Sequence, residues 1–212
     1  MKQAKDQNSE KITLVFQPSE NSHLCSSSFR CFEPLTQSEV YNIIMGMARK
    51  SCALDPIPTP LLVKSIDVLL PVIITKIINL SLQSGYFPPL WKEALVLPNL
   101  KKANLDLVYK DYRPVSNLSF ISKVTERAVF LQVDNYMKRN DLYPSLQCAL
   151  WRNHSTETAP LKVKNGILLD MNSQQTVLLV LLDLRAAFDK VDYNVHVRGL
   201  QFSFGITGIP CT

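Results

Sequence analysis

The chain has 212 residues, of which 46% are hydrophobic and 19% are charged, proportions that are ordinary for a globular protein. That length is sufficient for one large domain or two small ones with a substantial core. The amino terminus is polar, and charged residues and proline interrupt the most apolar region, so we expect no signal peptide and no membrane span. The net charge of +5 permits an anionic partner without requiring one.

The five cysteines form no CxxC pair, which indicates free thiols in a reducing compartment rather than a disulfide framework. His23, Cys25 and Cys31 offer metal-ligating side chains, but their spacing matches no common zinc module. We therefore expect no zinc site there and an intracellular protein, in the cytoplasm or the nucleus.

The first part of the chain, residues 1–31, is polar and rich in serine, and we expect it to form a poorly ordered lead-in. The first helix is predicted to begin after Thr36, because Thr36 and Glu39 have the spacing of a capping box. Leu35 and Val40 have the spacing of a hydrophobic staple, and further apolar residues recur on one helical face.

Proline and glycine predict the boundaries of the next elements. Thr59 followed by Pro60 indicates the start of a helix. Pro71 predicts a break in that helix, and Gly85 predicts its end. A short strand is predicted over residues 94–97.

Further along, the segment around Pro114 is expected to be extended, and a helix is expected to follow from Ser119. Another helix is predicted from Ser155, although Pro160 falls within it at an expected cost of ~3 kcal/mol. A last helix is predicted to be weakened by Gly199, by about 1 kcal/mol.

An apolar run at residues 177–182 precedes Asp183 in TVLLVLLDLRAAFDKVD. Such a run, rich in Val and Leu, predicts a strand buried on both faces. Since a carboxylate inside that strand would be costly to desolvate, Asp183 is expected at its end, either opening a turn or beside a ligand or metal ion. Helices and short strands alternate along the chain, so the fold class is expected to be α/β or α+β.

Several stretches carry a family resemblance through their order along the chain: LDPIPTPLL, LLPVIITKIINLSLQSGYFPPLWKEALVLPNLKK, YRPVSNLSFISKVTER, HSTETA, LLDLRAAFDKVD and SFGI. From about residue 32 to its end, the chain resembles the reverse transcriptase of LINE-type retrotransposons, which lack long terminal repeats. The resemblance implies the fingers of a right-hand polymerase at residues 32–170 and part of its palm at residues 171–212.

In that family, the position of Asp183 is held by the first catalytic carboxylate of the palm. The resemblance implies that Asp183 and the backbone carbonyl of Leu184 bind Mg²⁺, which prefers oxygen ligands. The implied reaction is attack of a primer 3′-hydroxyl on the α-phosphate of a deoxynucleotide, assisted by two metal ions. An RNA template and a DNA primer are the implied partners.

The same resemblance assigns three residues to the incoming nucleotide. Phe188 matches an aromatic residue that blocks a ribose 2′-hydroxyl, with core packing as the alternative, and Arg113 matches a basic residue near the nucleotide. Arg152 is a weaker candidate for a phosphate ligand. In LWRNHST it lies one residue beyond the position at which the family has an arginine, and a shift of one residue turns a strand side chain to the other face. A solvated surface arginine is the alternative for Arg152. Asp189 and Asp192 are expected to cap the next helix rather than to bind metal.

The YADD or FADD motif that would supply paired aspartates does not occur in the 212 residues. One aspartate cannot hold two metal ions in the required geometry, so we expect a truncated reverse transcriptase domain that is inactive alone. Two alternatives are a non-catalytic remnant that binds nucleic acid or a polymerase, and a relic with no selected function.

Charge and hydrophobicity predict two further properties. Between residues 101 and 139, eight basic and four acidic residues give a local net charge of +4, which predicts either weak nucleic-acid binding or a solvated helix face. The uncharged run at residues 177–182 would have an open strand edge without the remaining palm strands, which predicts self-association or a need for a partner.

Overall fold

The computed structural model describes residues 27–69, 73–102, 108–144, 147–149, 154–182 and 190–211. The helices in these ranges are α1 (Gln37–Met45), α2 (Thr59–Lys64), α3 (Ile66–Leu69), α4 (Thr75–Ser84), α5 (Pro89–Lys92), α6 (Phe120–Arg139), α7 (Thr158–Asn172) and α8 (Tyr193–Phe204). The strands are β1 (Ala94–Leu100) and β2 (Tyr112–Leu118), which pair in one antiparallel sheet. The described architecture is therefore α+β, which confirms the coarse fold class.

Helix α1 begins where the capping box predicts. The Thr36 side chain accepts a hydrogen bond from the Glu39 N–H, and Glu39 Oε2 accepts one from the Thr36 N–H at 2.8 Å. The backbone hydrogen bond from Thr36, followed by the bond from its hydroxyl, lowers the pKa of Glu39. The apolar face of α1 is buried, with Val40, Ile43 and Ile44 as its buried residues.

The next helices start and stop close to the predicted proline and glycine positions. Helix α2 begins at Thr59, with Pro58 as its N-cap and Pro60 in its first turn. It gives way to α3 ahead of the predicted break at Pro71, which lies outside the described residues. Helix α4 ends at Gly85, whose φ of 69° is the left-handed conformation that glycine adopts without strain.

One hydrophobic core joins α1, α2, α3, α4 and α6. Its buried members are Val40, Ile43, Ile44, Leu62, Ile66, Ile74, Ile78, Leu82, Phe120, Val124 and Ala128. All of them lie between residues 40 and 128, so this core is formed by the part of the chain that precedes α7. None of the helices that the structure describes is long and apolar enough to cross a membrane.

Strands β1 and β2 form a hairpin between α5 and α6. The strand predicted at residues 94–97 is confirmed and extends to Leu100. Pro98 lies directly opposite Pro114 in the register, which two strands tolerate because each has a second, unpaired edge. Most residues of both strands are exposed, so little of the hairpin is held by burial.

Helices α7 and α8 bury none of their residues. Helix α7 begins at Thr158, which places Pro160 in the first turn, where a backbone N–H has no partner within the helix. The expected proline cost is therefore wrong.

Helix α8 runs unbroken through Gly199. Its predicted cap is confirmed because Asp192 Oδ1 accepts hydrogen bonds from two N–H groups of the first turn. Asp189 lies outside the described residues.

The strand predicted at residues 177–182 is wrong. These residues adopt no strand conformation, and Leu178, Leu181 and Leu182 are 85%, 84% and 91% exposed. A strand buried on both faces needs a partner strand at its edge and packed layers over its faces, whereas the two strands in the described ranges pair with each other.

A parallel bridge joins the two ends of the described chain. The Phe29 N–H donates to the Gly205 carbonyl at 2.9 Å, and the Thr207 N–H donates to the Phe29 carbonyl at 2.8 Å. Ile206 is buried beside this contact, and the Tyr136 hydroxyl donates to the Phe204 carbonyl at 2.8 Å. The hydrogen bond from Tyr136 therefore connects the end of α8 to α6.

Candidate functional site

Arg113 is the one predicted site residue that the structure describes. The others lie outside the described ranges: Arg152, Asp183, Leu184 and Phe188. The magnesium site and the catalytic carboxylate therefore stay predictions. Within the described ranges, no group of three or more His, Cys, Asp or Glu residues is placed to hold a metal ion. His23 and Cys25 of the amino-terminal cluster also lie outside these ranges.

Arg113 lies in β2, directly opposite Asn99, and is exposed. Pro114 disfavours a helical backbone at Arg113 and so supports its extended conformation. In the part of the chain that the structure describes, Arg113 forms no ion pair. A guanidinium remains charged at any physiological pH and can bind two phosphate oxygens at once. The residue is therefore suited to a phosphate group.

The end of the hairpin beyond the paired strands is closed by two backbone hydrogen bonds. The Lys101 N–H donates to the Asp111 carbonyl at 2.8 Å, and the Asp111 N–H donates to the Val108 carbonyl at 2.8 Å. The second bond belongs to a 3₁₀ turn, Tyr109–Asp111, which leads into β2. Exposed side chains surround this closure, and we call them the hairpin end: Lys101, Lys102, Tyr109 and Arg113.

Asp55 attaches the exit of β2 to the helical body. Its Oδ1 accepts a hydrogen bond from the Phe120 N–H at 2.5 Å, and its Oδ2 accepts one from the Cys52 N–H at 2.6 Å. Phe120 is the first residue of α6, where a carboxylate satisfies a free N–H and complements the helix dipole. The sequence analysis missed this role because Phe120 is 65 residues from Asp55.

The entry to β1 is attached to the same helix. Ser122, in the first turn of α6, donates from its hydroxyl to the Trp91 carbonyl of α5 at 2.8 Å. The Trp91 ring also packs edge-on against Phe87, with 5.5 Å between ring centroids. Since α5 ends just before β1 and α6 starts just after β2, both strands leave the body beside the start of α6.

The basic side chains of α6 are partly engaged within the helix. Lys138 pairs with Asp134 at 2.7 Å, and the Tyr143 hydroxyl donates to Asp134 at 2.8 Å. Burial opposes ionisation of Asp134, but bonds from Lys138 and Tyr143, with the charges of Lys138 and Arg127, outweigh burial and lower its pKa. Burial, then the bond to Asp134, raises the pKa of Tyr143 to about 12. Arg127 lies over the Phe130 ring, 4.9 Å from its centroid.

The hairpin end is a cationic surface on the α+β body, because exposed lysine and arginine side chains lie beside an exposed tyrosine ring. Such a surface can bind phosphates through its cations and a flat ring through its tyrosine.

The chain is similar to three proteins of Drosophila mobile elements. One, described as "Probable RNA-directed DNA polymerase from transposon BS" of Drosophila melanogaster, is 27% identical over 160 residues, 75% of this chain and 18% of that protein. The corresponding X-element protein of the same species is 30% identical over 118 residues, 56% of this chain and 13% of that protein. The RNA-directed DNA polymerase from mobile element jockey of Drosophila funebris is 23% identical over 185 residues, 84% of this chain and 20% of that protein.

The chain is therefore similar to the RNA-directed DNA polymerases of these mobile elements, and the resemblance drawn from its motifs is confirmed. It spans between 13% and 20% of the length of these relatives and so corresponds to part of such a polymerase. No family model matches the chain. No solved structure matches it.

Proposed function

We propose that the chain forms the fingers, residues 32–170, and the first part of the palm, residues 171–212, of a LINE-type reverse transcriptase. The 160-residue match to the transposon BS polymerase carries this proposal. The exposed Arg113 supports it, because its hairpin lies between Trp91 and Phe120, which hydrogen bonds hold at the start of α6, and phosphate binding needs a cation that is both accessible and fixed in place.

In this proposal, Arg113 neutralises charge on the triphosphate of an incoming deoxynucleotide, and Arg152 supplies a second cation. Phe188 excludes a ribose 2′-hydroxyl, which selects deoxynucleotides. Asp55 and Ser122 position the hairpin without contacting the nucleotide. An RNA template and a DNA primer are the proposed partners, by analogy with the activity in the relatives' names.

Asp183 and the Leu184 carbonyl are the proposed ligands of Mg²⁺. Carboxylate and carbonyl oxygens suit magnesium, so this donor set fits one ion, whereas a pair of ions needs further carboxylates. When bound, magnesium would stabilise charge on the reacting oxygens. We therefore propose that these 212 residues do not extend a primer by themselves.

Primer extension on an RNA template annealed to a DNA primer, with and without magnesium, tests the catalytic part of the proposal. We expect no incorporation of deoxynucleotides by the purified chain. Magnesium-dependent incorporation that is lost in Asp183→Asn would contradict inactivity and would establish Asp183 as a catalytic residue.

A second candidate function is nucleic-acid binding without catalysis. The observation that favours it is charge, since residues 101–139 carry a net +4 of the chain's net +5. Fluorescence anisotropy with a single strand and with an RNA–DNA hybrid should detect binding that weakens steeply with salt, because phosphate contacts release counterions. No binding at the lowest salt would exclude this function and favour a relic or a polymerase-binding remnant.

A further inference from the structure

We propose that Tyr109 stacks on a base of single-stranded nucleic acid whose phosphates bind the cations of the hairpin end. The inference rests on the nucleic-acid binding under "Proposed function" and adds the residue that contacts a base. It rests on the second candidate function, in which Arg113 contacts the phosphates of a strand instead of a triphosphate, and it assigns the class of ligand, a single strand rather than a duplex.

The exposure of Tyr109 is the first observation. Its side chain is 98% exposed, compared with 62% for Tyr86 and 79% for Tyr193. The backbone beneath it is nevertheless held, because the 3₁₀ turn that it begins is closed by the Asp111 N–H and is joined to Lys101 by the Asp111 carbonyl. A ring presented in this way loses little conformational freedom when a flat ligand covers it.

The second observation is the charge around the ring. Lys101 and Lys102 follow β1, and Arg113 lies two residues beyond the turn, in the strand that pairs with β1. Cations on both strands of the hairpin therefore flank the tyrosine, and two acidic residues, Asp106 and Asp111, lie between them in the sequence. Proteins that bind single strands combine these features, since phosphates alternate with bases along the strand.

Duplexes fit this surface less well. Bases in a duplex are already stacked on each other, so one exposed ring has no free base face to cover. An acidic peptide would bind the cations but would leave the ring without a partner. A single strand uses both features.

The test is anisotropy titration of the full chain with a labelled RNA strand of about 12 nucleotides, the same sequence as DNA, and the duplex. Tyr109→Ala should weaken single-strand binding by roughly 5- to 150-fold, the effect of losing one stacked base. Tyr109→Phe should bind like the wild type because it keeps the ring. Tyr193→Ala is the matched control, an exposed tyrosine outside the hairpin, and should leave binding unchanged.

Salt dependence separates stacking from charge. Tyr109→Ala should leave the slope of the logarithm of affinity against the logarithm of salt concentration unchanged. Lys102→Ala should reduce the magnitude of that slope by about one, because one phosphate contact is lost. Wild-type binding that Tyr109→Ala leaves intact would overturn the stacking role alone. Equal affinity for duplex and single strand would overturn the ligand class. No wild-type binding at the lowest salt would instead overturn the proposed nucleic-acid function itself.

Discussion

The two halves of the described chain differ in what holds their helices. Between residues 40 and 128, eleven buried apolar side chains, ten of them in five helices, form one core, whereas α7 and α8 bury none. Apolar residues of these two helices face water instead, including Leu161 at 64% and Phe202 at 71% exposure. Because most helical stability in proteins comes from packing, the amino-terminal half should be stable and the carboxy-terminal helices weak.

The same division separates charge from apolar surface. The basic segment at residues 101–139 lies with the core, while an apolar groove of about 510 Å³ lies between α7 and residues 179–181. The part of the chain that packs is therefore also the part that carries the candidate binding surface. The part that follows it carries the apolar run at residues 177–182 and leaves that run exposed.

Hydrogen exchange should show the largest difference between the halves. Amides of α1, α4 and α6 should be protected up to the global free energy of unfolding, typically about 5–15 kcal/mol, while those of α7 and α8 should exchange after local opening at far lower cost. Exchange of the full chain, followed by mass spectrometry at two protein concentrations, measures this. Equal protection at the lower concentration would contradict the comparison.

A core truncation should be costly in the first half and nearly neutral in the second. Ile44 is fully buried, so Ile44→Ala should reduce the free energy of unfolding by about 2–5 kcal/mol. Leu169→Ala in α7, where Leu169 is 58% exposed, should change it by less than about 0.5 kcal/mol. Denaturant titration followed by tryptophan fluorescence compares the two. Similar losses would mean that α7 is buried in solution.

Removal of the Asp55 carboxylate should cost about 2 kcal/mol, because Asp55→Ala leaves two backbone N–H groups without their acceptor. Asp67→Ala is the matched control, since Asp67 is an exposed acid in the first turn of α3. The control should have an effect within about 0.5 kcal/mol. Equal effects of the two variants in the same denaturant titration would contradict the role of Asp55 in holding the start of α6.

Glycine substitutions should test how closely other parts of the chain pack against α8 and the residues that follow it. A Cβ at Gly199 meets nothing within 4 Å, so Gly199→Ala should raise helicity and stabilise α8 by up to about 1 kcal/mol. Gly208→Ala should destabilise by at least about 1 kcal/mol, since Gly208 has a φ of 71° and its Cβ would lie 2.7 Å from the Arg30 carbonyl oxygen. Far-UV circular dichroism with thermal melts measures both. Loss of helicity in Gly199→Ala would indicate hidden packing around α8.

A charge in the exposed apolar run should change association more than stability. We expect the wild-type chain to self-associate through residues 177–182 and Leu181→Lys to shift it towards monomer, with stability changed by less than about 0.5 kcal/mol. Gln175→Lys adds the same charge outside the run and should still associate. Light scattering after size exclusion distinguishes them. A monodisperse wild-type monomer with one steep unfolding transition would refute the expectation.

The sequence by itself determined the features that depend on neighbouring residues. The capping box at Thr36, the glycine stop at Gly85 and the cap at Asp192 all follow from hydrogen bonds or backbone angles within about four residues. The similarity to RNA-directed DNA polymerases of mobile elements likewise follows from the order of motifs along the chain, which needs no knowledge of contacts.

Tertiary structure alone decided the features that depend on distant partners. The Asp55 carboxylate meets Phe120 across 65 residues, and β1 pairs with β2 in a register that sets Pro98 against Pro114. The apolar run at residues 177–182 has the composition of a buried strand, yet it lies exposed, since burial requires neighbouring strands that hydrophobicity cannot supply. Local bonds act along the chain, whereas burial and pairing depend on which other segments reach the same place.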